Sequence, residues 1–204
     1  MSPAIDYYFA PQSPWTYLGH ARFSQIALAA GATVRVLPMD LGQVFPVSGG
    51  LPLGQRAPQR QAYRLLELQR FSEQLQLPLN VKPKFFPVAG DDASRLIIAV
   101  GLHDGSAAAM KISGAIFSAV WAQQRNIADA AVLAELVAEC ALPAGRLAQS
   151  HAPEVQAAYD ANTRQAIDAG VFGAPSYVLQ GESGGELFWG QDRLDFVARK
   201  LQSL

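Results

Sequence analysis

Residues 4–10 form an apolar run rich in aromatics, which predicts a buried strand breaking at Pro11. Helical spacing follows over residues 14–30 through Leu18, Phe23, Ile26 and Leu28, and Gly31 supplies the stop. Val34 and Val36 then alternate along Thr33–Leu37 as a second strand that ends at Pro38, completing a βαβ unit. From about residue 40 to 170 the texture changes to Ala, Leu, Gln and Arg punctuated by Gly and Pro, with little strand signal. There the spacing predicts a loop over 43–58, a helix over 59–77 stopped by Pro78, an extended segment from Lys82 to Pro87, and a helix over 91–102. A helix over 106–124 sets Met110, Phe117, Val120 and Trp121 near one stripe, a core pattern, and Asp129 is placed to cap the helix that carries Cys140. Pro153 opens another helix that Gly170 ends. Strand patterning returns at Ser176–Gln180 and Glu186–Trp189, a hairpin turning at Gly181–Gly185. A last helix over 193–203 is expected to start with Asp192 as N-cap and Asp195 in a capping-box position.

The order βαβ, helices, ββα is that of an α/β, thioredoxin-like fold with a large all-helical insertion. On this reading residues 1–40 and 165–204 form a discontinuous thioredoxin-like domain and 41–164 the helical insertion domain.

Composition narrows the chemistry. Half of the 204 residues are apolar, enough for a sizeable core, and sixteen basic against seventeen acidic residues leave a net charge of -1. With no basic stripe, nucleic acid and acidic membrane surfaces are not expected partners. Met1–Asp6 lacks a basic and apolar leader and no apolar run reaches the length of a membrane span, so a soluble, cytoplasmic protein is expected. The lone cysteine, Cys140, shares a helical face with Leu133, Leu136 and Val137 and reads as a buried small hydrophobe. His20, His103 and His151 are scattered, and no metal is expected.

Candidate chemistry concentrates at Ser13-Pro14, where a strand ends and a helix begins. Ser13 suits the N-cap and Pro14 the first helical position, and a helix N-terminus with a hydroxyl beside it can hold an anion such as a thiolate. With Cys140 far away in sequence, a thiol working here arrives on a ligand.

Three separated segments, Ser13-Pro14-Trp15-Thr16-Tyr17-Leu18, Gly170-Val171-Phe172-Gly173-Ala174-Pro175-Ser176 and Phe188-Trp189-Gly190-Gln191-Asp192-Arg193-Leu194, together resemble the 2-hydroxychromene-2-carboxylate isomerases. That family stands with the kappa-class glutathione transferases in the DsbA-like branch of the thioredoxin superfamily, and the resemblance runs nearly end to end. The three segments are similar to the family's S-P-x-S-Y-L, with Thr16 for its second serine, G-V-F-G-x-P-[ST] and F-W-G-x-D-R. A weaker match of residues 57–70 to P-x-K-x-x-Y-x-x-x-D-L-x-R carries Arg60 for lysine and Glu67 for aspartate. Ala10-Pro11 and Ser48-Gly49-Gly50-Leu51 also depart from the usual Asp-Phe and Gly-Asn. Disulfide oxidoreductases of this fold carry Cys-x-x-Cys where this chain has Ser13 and Thr16, which removes dithiol chemistry.

The resemblance implies reduced glutathione as cofactor, with Ser13 as catalytic residue beside its sulfur. It implies a cis bond before Pro175 with the Ala174 backbone facing the cysteinyl part, and Trp189, Gly190, Gln191 and Asp192 at the γ-glutamyl end. It also implies a homodimer and a small aromatic carboxylate substrate in aromatic-compound catabolism, with Arg60, Trp15 and Phe86 as candidate substrate contacts. Other readings stand beside these. Arg60 and Arg64, one turn apart, suit either carboxylate binding or a solvated face with Glu67, and Trp15, Tyr17, Phe86 and Trp121 suit either a pocket or core packing. The activity reads as glutathione-dependent cis-trans isomerisation. Its rivals are a kappa-type transferase or peroxidase, and a non-catalytic thioredoxin-like module that grips a peptide.

Overall fold

The structure, a computed structural model, describes residues 3–181 and 184–203. Four strands, β1 (Ala4–Phe9), β2 (Thr33–Pro38), β3 (Ser176–Gly181) and β4 (Gly184–Trp189), form one sheet in the order β2-β1-β3-β4. The β1–β2 pair is parallel, joined by α1 (Pro14–Ala29), and the other two pairs are antiparallel. This is the thioredoxin-like arrangement of the βαβ and ββα patterns. The turn expected at 181–185 shrinks until Gly181 pairs with Gly184, and Glu182 and Ser183 lie outside the described residues.

β1 sits at the centre because its aromatic run can be covered on both sides. Ile5, Tyr7 and Phe9 face a core shared with Phe23 of α1 and Tyr177 of β3, while Tyr8 faces a second core with Met39, Val44 and Val178. The Tyr7 and Tyr177 rings lie parallel with centroids 5.4 Å apart. Asp6 is the polar exception on this strand: the guanidinium of Arg35 on β2 pairs with both its oxygens, and Gln180 on β3 donates to it at 2.7 Å. One buried carboxylate thus ties three strands.

The middle of the chain supplies α2 (Leu41–Ser48), α3 (Pro58–Leu75), α4 (Asp91–Asp104), α5 (Ser106–Trp121), α6 (Ala130–Glu139), α7 (Gly145–Gln149) and α8 (Pro153–Asp168). The first core continues through α4 and α5 to α6. Met110, Phe117, Val120 and Trp121 are buried in it, as is Cys140 at the end of α6, where burial pushes the thiol pKa up. No helix among the described residues is long and apolar enough to cross a membrane.

Three local expectations need correction. The loop predicted over 43–58 begins as α2: Asp40 caps it by accepting from the Gly42 amide at 2.7 Å, and Val44 is fully buried. Burial beside Tyr8 and Met39 outweighs the breaker signal of Gly42 and Pro46. The segment Lys82–Pro87 forms turns instead of an extended stretch, with the Phe86 amide donating to Pro83 and a cis bond before Pro87. Asp192 does not cap the last helix. A 3₁₀ turn at Gln191–Arg193 precedes α9 (Leu194–Leu201), the Asp192 carboxylate pairs with Arg193, and Asp195 pairs with Arg22 of α1.

His20 joins α1 to α5. Its Nε2–H donates to the Met110 carbonyl at 3.0 Å and its Nδ1 accepts from the Tyr7 hydroxyl at 3.3 Å, which fixes the neutral ring. Gly114 makes room for it, since a Cβ there would lie 3.0 Å from the imidazole. Burial lowers the His20 pKa to about 4. The unfolded chain therefore takes up a proton near the ordinary value of 6.5 that the folded chain refuses, so this contribution is intact above 6.5 and is lost as pH falls towards 4. Denaturant titrations between pH 7 and 4.5 are expected to show a loss of up to about 3 kcal/mol from this group. The same series on His20→Leu should lack that component.

Candidate active site

Ser13 is set by the way β1 hands over to α1. Its amide donates to the Ala10 carbonyl at 2.9 Å, closing the turn, and its extended backbone makes it the N-cap. The Thr16 amide donates to Ser13 Oγ at 3.3 Å, and Pro14 brings no amide of its own. The Tyr17 amide is taken by the Ser13 carbonyl, so the Trp15 amide is the first-turn donor left to satisfy.

The second part arrives from α8. Gly170, at φ 74, ends that helix, and the chain runs through buried Val171 to the cis Ala174–Pro175 bond. The Ala174 carbonyl faces Ser13, accepting from its hydroxyl at a long 3.4 Å, while the Pro175 carbonyl accepts from the Gly190 amide at 2.9 Å. One dipeptide thus joins the start of α1 to the end of β4. Gly190 needs its φ of 93, and a Cβ there would strike the Asp192 carboxylate at 2.5 Å.

Beside this corner opens a cavity of about 550 Å³ between α3 and the turn leading to α9. Trp15, Arg60, Ala174, Trp189, Gly190, Gln191 and Asp192, all expected from sequence, lie on its wall. Ser13 and Pro175 adjoin it through Ala174. Phe86 is not on the wall; it stands behind Arg64, whose guanidinium lies over the Phe86 ring at 5.4 Å and the Trp121 ring at 5.8 Å. Tyr17 lies away from the cavity, donating to the Pro78 carbonyl.

The wall also holds Arg64 and Glu67, weighed above between carboxylate binding and a solvated face, and four residues that sequence reasoning missed, Arg56, Tyr63, Phe71 and Arg193. Their helical part was visible in principle, because Arg60, Arg64, Glu67 and Phe71 recur at spacings that put them on one stripe of α3. The stripe is electropositive. Burial lowers the Arg56 pKa, with the Arg60 charge adding to it, and burial followed by the Arg56 charge brings Arg64 down to about 10. Opposite, Gln191 is buried, and its amide nitrogen has no partner among the described residues. No described cluster of His, Cys, Asp and Glu could hold a metal.

The DSBA-like thioredoxin domain matches residues 4–202, and a 2-hydroxychromene-2-carboxylate isomerase of Pseudomonas putida is 33% identical over 195 residues, 93% of this chain and 90% of the relative. The chain belongs to the DsbA-like thioredoxin family, among the 2-hydroxychromene-2-carboxylate isomerases. A solved structure of such an isomerase superposes with a TM-score of 0.81 at 25% identity, covering 98% of this chain and 95% of that one. Another relative, a kappa-class glutathione S-transferase of Caenorhabditis elegans, is 24% identical, with 98% of this chain and 91% of the relative covered. Within the DsbA-like family this chain lacks a cysteine at the corner: Ser13 and Thr16 stand there, and Cys140 is not on the cavity wall.

α1 and the 191–193 turn approach closely enough to require Gly19. A Cβ there would meet Gln191 Cβ at 2.7 Å and the Tyr177 hydroxyl at 3.2 Å, in a region where the Gln191 backbone is only 3.4 Å away. Gly19→Ala is expected to push the turn off the cavity wall and cost about 1–3 kcal/mol, read as a lowered melting temperature. An unchanged melting temperature would contradict the packing.

Proposed function

We propose that the chain is a glutathione-dependent isomerase that interconverts 2-hydroxychromene-2-carboxylate and trans-o-hydroxybenzylidenepyruvate in the breakdown of aromatic compounds. The observation that carries this reading is the hydroxyl of Ser13, held on the N-terminus of α1 against the Ala174 carbonyl, beside a cavity whose wall has no cysteine. Such a corner suits a sulfur anion that the protein does not itself supply.

Glutathione fits the residues present. The cavity volume of about 550 Å³ is of the size that takes small ligands, and the unpartnered Gln191 amide and the Asp192 carboxylate offer a donor and an anion to a zwitterionic γ-glutamyl end. Ala174, next to the cis bond, has backbone for the cysteinyl portion, while Trp189 and Gly190 complete that wall. When bound, glutathione supplies a sulfur nucleophile whose reversible addition to a conjugated carbon frees rotation about the former double bond.

The chain's own residues decide whether that sulfur is ionised. A free thiol has a pKa near 8.5 and is mostly protonated at neutral pH. The Ser13 hydroxyl makes only a long bond to Ala174, so it can turn and donate to an anion at little cost. The Trp15 amide and the α1 dipole act in the same direction. Trp15 and the α3 wall give an aromatic acid a surface to lie on.

The kappa-class relative favours one second reading, a transferase that keeps the conjugate as product. Thiol titration separates the two: isomerisation leaves total glutathione constant, whereas conjugation consumes it mole for mole. Ser13→Ala is expected to lower kcat/KM about 100-fold or more. Loss of the helix cap costs only about 1 kcal/mol, a fall of a few degrees in Tm. An undiminished rate in this variant would overturn the role of Ser13.

A further inference from the structure

Among the described residues six arginines hold a carboxylate: Arg22, Arg35, Arg95, Arg125, Arg146 and Arg193. Arg64 is the buried one, at 9% exposure, and has no ion pair among the described residues. That inverts the usual order, in which a charge removed from water is the one that must be paired. Glu67 lines the same cavity one turn further along α3 but is not within ion-pair distance, and the charge that Arg64 does feel is the repulsive one of Arg56. The Phe86 and Trp121 rings flank the guanidinium, which lines the cavity with no side-chain hydrogen bond or ion pair among the described residues.

We propose that Arg64 is the carboxylate anchor for the aromatic acid, an assignment that rests on the isomerase reading above. A planar, fixed guanidinium takes a carboxylate through two parallel hydrogen bonds, which a lysine in its place could not do. The division of the cavity selects which carboxylate. The backbone corner from Ala174 to Asp192 forms one wall, suited to a peptide, and α3 forms the other. Trp15 stands between Ser13 and that second wall, packed edge-on against Phe71 with centroids 5.9 Å apart. An aryl ring lying on Trp15 presents its conjugated chain to the Ser13 corner and its acid group to Arg64. Arg64 is therefore a specificity residue of the acid substrate, separate from the contacts that hold the tripeptide.

The test uses binding as well as turnover. Calorimetric titration of the full chain with cinnamate and with the uncharged cinnamide measures what the carboxylate is worth. The native protein is expected to prefer cinnamate about tenfold or more. Arg64→Met should abolish that preference, raise KM for the acid by a similar factor with a smaller change in kcat, and leave the glutathione Kd within about twofold. Arg64→Lys should retain part of the preference. If R64M still prefers cinnamate as the native protein does, or loses affinity for glutathione in place of the acid, the proposal is overturned. Should R64M not fold, R64K carries the test, and an undiminished preference in it overturns the anchor. The two readings fail separately. A native protein that shows the Arg64-dependent preference but does not isomerise the chromene acid keeps the anchor and loses the reaction. One that isomerises it with KM unaffected by R64M keeps the reaction and loses the anchor.

Discussion

Burial of β1 on both faces is the constraint from which the rest of the molecule follows. A strand with Tyr7 and Phe9 on one side and Tyr8 on the other cannot sit at an edge, so β2 and β3 flank it and helices cover both faces. Asp6 lies in this strand as a carboxylate removed from water, and its ligands come from both neighbours, which fixes the register as well as the order. Because β1 is held so firmly, the turn that follows it is equally fixed, and Ser13 closes that turn.

The site is a second consequence of the same geometry. β3 is antiparallel to β1, so the segment entering β3 arrives at the end where β1 leaves, bringing Ala174 and Pro175 to Ser13. β4 returns beside it and delivers Gly190 to the Pro175 carbonyl. The backbone-rich half of the cavity is thus a product of sheet topology. Its arginine-rich half comes from α3, an element outside the sheet, and this half can vary in sequence without disturbing the strands.

That division also explains what could be read from the chain alone. Ser13-Pro14, Gly170 and Gly190 announce themselves because their local backbone demands those residues, and the strand patterns were clear enough to give the thioredoxin-like order. α2 was hidden because Pro46 and Gly42 argue locally for a loop while Val44 wins its place by a contact with a strand far away in sequence. Asp192 misled for the opposite reason. It has the right residue type for a cap, but the positive φ of Gly190 feeds a 3₁₀ turn that sends the carboxylate to Arg193. Arg64 is the extreme case: its isolation from solvent depends on Phe86 and Trp121, from two other segments, and periodicity along α3 carries no trace of either.

The placement of sulfur in this molecule has a consequence for durability. The chain's one thiol is sealed at the end of α6, with a pKa pushed upward by burial, so it resists the oxidants and electrophiles that seek out reactive cysteines. Where dithiol relatives of the fold risk their working atoms at the corner, this one presents an alcohol. On the proposed reading, the damage an oxidant does falls on a diffusible tripeptide that is simply exchanged for a fresh copy, and the polypeptide outlives its own nucleophile.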